Sequence, residues 1–116
     1  MKTKTLVVFF ALSALAIADA QPTYTAAEAA KHVGETAIVK DRVDGFHHSG
    51  KGNMFLNMGG KYPNQAFTAF IAASSAAQFS QAQQYEGRIV AVSGKITLYK
   101  GKPEIIVNSP SQLREQ

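Results

Sequence analysis

Three sets of residues in this chain have types that do chemistry. Phe55, Phe70 and Tyr99 carry flat π faces, and Lys51, Lys61, Lys100 and Lys102 lie within a few residues of them or of the turns beside them. Flat rings next to ammonium groups suit a ligand with exposed bases and a phosphate backbone. Each stacked base contributes about 1–3 kcal/mol, and each lysine neutralises a phosphate. The adjacent His47 and His48 point to opposite sides of an extended segment, with no carboxylate at zinc-ligand spacing, so they read as solvated and no metal is expected. The carboxylates are scattered, with Asp41 and Asp44 the nearest pair, and no G-x-S-x-G, H-E-x-x-H or phosphate-cradling glycine motif occurs. Neither a catalytic set nor a cofactor is expected. The absence of cysteine excludes disulfides, thiol catalysis, a lipoprotein anchor and cysteine-bound zinc.

The start of the chain has a different character. Lys2 and Lys4 precede an apolar run, Leu6 to Ile17, broken only by Ser13, and Ala18-Asp19-Ala20 has the small-x-small form of a cleavage site. Residues 1–20 therefore read as a signal peptide, and the protein is expected to be exported to the periplasm or secreted. The run falls short of the roughly 20 residues that cross a bilayer, so no membrane span is expected after cleavage. The whole chain has 12 Lys+Arg and 8 Asp+Glu, a net charge of +4. Removing Lys2, Lys4 and Asp19 leaves residues 21–116 as one domain with a net +3. That mild excess lacks the dense Lys/Arg clustering of a duplex-DNA binder.

The elements that must position these residues follow from local pattern. Thr25-Ala26-Ala27-Glu28 has capping-box spacing and opens an Ala-rich helix ending at Gly34. Glu35 to Val43 alternates as a first strand, and Asp44 to Asn53 reads as a flexible loop. Met54 to Met58 and Ala66 to Ala72 form strands two and three. A helix over Ser74 to Tyr85 follows, ended by Gly87. Arg88 to Tyr99 is the longest strand, with Val90, Val92, Ile96 and Leu98 inward and Gly94 at a bend. After Lys100 to Pro103 comes the last strand, Glu104 to Asn108, then a capped turn from Ser109 and a frayed end. Three strands, a helix and two strands is the order of a mainly β, five-stranded OB-fold barrel, with a helix between strands three and four and an added N-terminal helix.

Three segments carry a family resemblance: Ala29 to Thr36, Phe55 to Thr68 and Gly101 to Val107. They resemble small bacterial OB-fold domains of the tRNA-anticodon and single-strand-binding type, some of them exported. The Ala/Gln-rich second helix and Asp41 depart from that pattern. The resemblance implies nucleic-acid binding across strands two and three, between the loops that flank them. Mapped onto this chain, the expected face is Phe55, Asn57, Thr68, Phe70 and Tyr99, with Lys51, Lys61, Lys100 and Lys102 supplying charge. The competing use of Phe55 and Phe70 is to pack beneath the added helix. The expected function is non-catalytic: weak, sequence-independent binding of single-stranded nucleic acid or another polyanion, with Kd on the order of 10⁻⁴–10⁻⁶ M. The alternatives are an envelope protein-interaction or structural module and a binder of oligosaccharides or small ligands. A strand binder needs basic loops beside exposed aromatics, whereas an interaction module needs an apolar face without that charge.

Overall fold

The computed structural model describes residues 20–116; the expected signal peptide's charged start and apolar run lie outside the described residues. Among the described residues seven strands form: β1 (Thr23–Tyr24), β2 (Thr36–His48), β3 (Met54–Met58), β4 (Phe67–Ile71), β5 (Ile89–Tyr99), β6 (Lys102–Ile106) and β7 (Leu113–Glu115). Five of them join in a ring. β2 pairs with β3, β3 with β4, β4 with β6, β6 with β5, and β5 returns to β2. Only β4 and β6 run parallel within that ring, with Thr68 opposite Glu104 and Phe70 opposite Ile106. β1 and β7 extend the sheet outside it, beside β2 and β5.

Two long strands make closure possible because each serves two partners. β2 pairs with β5 over Thr36–Arg42 and with β3 over Val43–His48, and its register shifts between Val43 and Gly45. A bulge there adds bend and twist to the strand. β5 leaves β2 after Lys95 and pairs with β6 from Ile96 onward. Gly94 sits just before that change of partner, at φ +151, where an added Cβ would lie 2.7 Å from Ile105 Cγ2. Period-two alternation then fills the interior. Ala37, Val39, Val43, Leu56, Phe67, Ala69, Val90, Val92, Ile96 and Ile105 are all fully buried.

Both segments expected as helices are instead 3-10 turns, at Ala29–Lys31 and at Ala73–Phe79 and Ala82–Tyr85. Burial explains the difference. The apolar residues that lie in the core or pack against it are Ala26 and Ala29 in the first segment, and Ala76, Phe79, Ala82 and Tyr85 in the second. That spacing is three, which a 3-10 helix aligns on one face and an α-helix does not. The capping pair still forms: Glu28 N–H donates to Thr25 Oγ1 at 3.3 Å, and Thr25 N–H to Glu28 Oε1 at 2.8 Å. Asp41 also has a structural use. Its carboxylate accepts Ala26 N–H at 3.0 Å and Arg42 N–H at 2.8 Å, tying the N-terminal turn to β2.

Other expectations change as well. β2 continues to His48, so the flexible loop shrinks to residues 49–53 and both histidines stand on a strand. Leu98 is 56% exposed, because β5 runs beyond the ring toward its hairpin with β6. The last ring strand begins at Lys102 rather than Glu104. The capped turn at Ser109 forms, but the chain end pairs with β5 as β7 instead of fraying.

Candidate ligand groove

Strand register sorts the outer face of β2, β3, β4 and β6 into two rows. In the first, His47 lies opposite Phe55, Phe55 opposite Phe70, and Phe70 opposite Ile106. The Phe55 and Phe70 rings are tilted with centroids 5.3 Å apart, and His47 lies 5.8 Å from Phe55. Both phenylalanines are half-buried and neither belongs to the core. The N-terminal turn buries Ala26 and Ala29 in the core, to which neither ring belongs. This cross-strand aromatic row stabilises the sheet and also presents ring faces to a ligand.

The second row is polar: Gly45, Asn57, Thr68, Glu104 and Thr97 succeed one another across the strands. Asn57 and Thr68 are 4% and 6% exposed and satisfy each other, Thr68 Oγ1 donating to Asn57 Oδ1 at 2.9 Å. Gln65 Nε2 adds a bond to Thr68 Oγ1 at 3.3 Å, while Gln65 Oε1 is buried without a partner among the described residues. These side chains form a floor.

An open groove of about 800 Å³ lies above that floor. Phe55, Asn57, Thr68, Tyr99, Lys61, Lys100 and Lys102 all line it, whereas Phe70 and Lys51 do not. Phe70 stands behind Phe55 in the aromatic row, and Lys51 is exposed in the loop after β2. One wall is the β5–β6 hairpin. Its central residues Lys100 and Gly101 both have positive φ, at 51 and 81, the type I′ requirement. That tight turn lifts Tyr99, 57% exposed, to the rim, with Lys100 Nζ 5.3 Å from its ring centroid. The opposite wall is the β3–β4 connection with Lys61, Tyr62 and Pro63, where Tyr62 is 76% exposed and the Tyr62-Pro63 bond is cis.

Lys102 differs from its expected role. Its ammonium donates to the carbonyls of Pro63 and Gln65, so it ties the two walls together and two of its three donors go to protein oxygens. Lys61 and Lys100 remain exposed in the groove. Sequence reasoning missed Glu104 and Gln65. The signal for Glu104 was its place between Pro103 and Ile105, which alternation turns inward.

Glu104 sets the electrostatics of the floor. Burial alone pushes its carboxyl above the ordinary 4.5. A raised value in the folded state means that folding favours the protonated form. That contribution is complete below the unfolded value and disappears as pH rises through the folded one, leaving a half-buried anion at neutral pH. Glu104→Gln is therefore expected to raise the melting temperature at pH 7. The gap from wild type should close as the pH is lowered toward 4.5; a gap constant across that range would contradict a half-buried charge at this position.

Neither the family models nor the curated proteins include a match to this chain. Among solved structures, it is similar to an assigned aspartyl-tRNA synthetase from Leishmania major Friedlin, with 14% identity and a TM-score of 0.56. It is also similar to OBody AM1L10, a protein solved bound to hen egg-white lysozyme, with 17% identity and a TM-score of 0.60. The likeness covers 84% of this chain in both cases, but 21% of the synthetase and 95% of the OBody. The chain thus spans about a fifth of the synthetase's length. At these identities the relationship is one of architecture: a mainly β, OB-fold-like ring of five strands.

Proposed function

We propose that this chain is an exported, non-catalytic module that binds single-stranded nucleic acid, or a similar polyanion, weakly and without sequence preference. The observation that carries this reading is one groove in which Phe55 and Tyr99 present ring surface beside the exposed ammonium groups of Lys61 and Lys100. Rings accept bases of any identity, and two lysines neutralise few phosphates, so the expected affinity is low and falls with salt. Likeness of fold to part of a tRNA synthetase supports the reading as analogy. Export rests on the sequence of residues 1–20.

A labelled oligothymidylate titrated at low and moderate salt tests the proposal. Binding should weaken as salt rises, and Lys100→Ala should reduce the slope of log affinity against log salt by about 0.7. No binding at low salt would refute it. The acidic floor at Glu104 favours a second reading, an envelope module that takes a peptide or partner protein offering hydrogen-bond donors. That reading requires an affinity for protein with no response to oligonucleotide.

A further inference from the structure

The groove does not hold all of the protein's positive charge. Glu86 and Glu104 line it together with its lysines, which leaves it only slightly cationic. A second concavity of about 420 Å³ lies on the outer face of β2 and β5, between the chain's N-terminal segment and β7. Lys40 stands opposite Ala91, and Ala91 opposite Arg114, so two exposed cations flank a small side chain. Strand spacing puts them roughly 10 Å apart. Among the described residues neither is ion-paired. Ser93, Ser111 and Gln116 supply neutral polar groups to the same trough, and no aromatic residue lines it among the described residues. Cations and donors without rings hold a phosphate backbone and ignore its bases.

Trough and groove share β2. Lys40 on its first half lines the trough, and Gly45 and His47 beyond the bulge line the groove. Between them Arg42 is exposed, its Nε 3.9 Å from Asp44 Oδ1. The distance from Lys40 to His47 along the strand is about 20 Å. We infer that a single strand held in the groove continues along the outer surface of β2 onto the trough, where Lys40 and Arg114 hold its phosphates. This inference rests on the groove's being a single-strand site. It predicts a footprint longer than the groove, toward the upper end of the roughly 4–16 nucleotides that one such fold covers.

The test uses protein purified from its native source and oligothymidylates of about 5, 10 and 20 nucleotides. Wild type should bind the longest more tightly than site counting allows, with a salt slope steeper than for the shortest by about 1.4, the value for two further phosphates. The double substitution Lys40→Glu with Arg114→Glu should abolish that extra slope and leave binding of the shortest oligonucleotide unchanged. Both positions are exposed, so folding should survive; Lys40→Gln with Arg114→Gln should act in the same direction if charge reversal disturbs it. Wild-type affinity and slope in both double variants would overturn the inference while leaving the groove intact. Failure of wild type to bind any oligonucleotide would remove the groove reading and this inference together. Charge-dependent binding to phosphatidylglycerol vesicles, with no effect of oligonucleotide length, would also overturn it and assign the trough to a membrane surface.

Discussion

Phe55→Ala and Phe70→Ala are each expected to weaken binding of a single-stranded oligonucleotide by about 1–3 kcal/mol, roughly 5- to 150-fold. Phe55 acts directly, since its ring lines the groove. Phe70 acts through contact: its ring packs against Phe55 at 5.3 Å and fixes the plane on which a base would lie. Phe55→Ala should therefore give the larger loss, with Phe70→Leu partly restoring what Phe70→Ala removes. Neither change touches a charge, so the salt slope should hold near its wild-type value. Stability supplies the second readout. Both rings are half-buried and lie outside the core, so melting temperatures should fall less than for truncation of fully buried Phe67. A fall as large as that of Phe67→Ala, with no oligonucleotide bound by wild type, would make the aromatic row structural.

Gly94→Ala should be a costly single-methyl addition, destabilising by about 2–4 kcal/mol in urea or thermal unfolding. Two effects combine. At φ +151 an L-residue is strained, and the new Cβ would lie 2.7 Å from Ile105 Cγ2 and 3.1 Å from Gln112 Nε2. Ile105 is fully buried and cannot move aside without displacing the core. Gln112 Nε2 already donates to the Ser93 carbonyl at 2.9 Å and to that of Ile106 at 3.1 Å, so the C-terminal turn would be disturbed too. Gly50→Ala is the matched control. Its backbone lies outside the left-handed region and none of the described residues stands within 4 Å of the added carbon. There the methyl should be neutral or stabilising by up to about 1 kcal/mol, because it restricts the unfolded chain. Equal effects at the two positions would contradict this account of Gly94.

In β3, whose two faces differ in polarity, the sequence was informative. Met54, Leu56 and Met58 alternate against Phe55 and Asn57, and the structure buries the first three while leaving Phe55 outside the core. Composition misled where it was richest. Alanine favours α-helix strongly enough to hide the spacing of three between Ala76, Phe79, Ala82 and Tyr85, which core contact converts into 3-10 turns. Asp44-Gly45 has the composition of a turn, but continued pairing with β3 makes it a bulge inside β2. Alternation with Pro103 and Ile105 gave the face of Glu104, but only parallel pairing set it opposite Thr68, 36 positions away in the chain. The spending of Lys102 on two carbonyls of another loop likewise has no local signature.

The closure between β2 and β5 bears on kinetics. Its pairs run from Arg42 with Ile89 to Thr36 with Lys95, sequence separations of 47 to 59 residues. The β5–β6 hairpin, by contrast, turns through two residues and can form in microseconds. Much of the chain must lose its freedom before the distant seam returns any contact energy, which places folding on the millisecond-to-second side of the range for small domains. Until that seam forms, the edges of β2 and β5 offer unpaired backbone to any neighbouring chain. Crowding of newly made molecules should thus lower the yield of refolding well before it alters the stability of the finished ring.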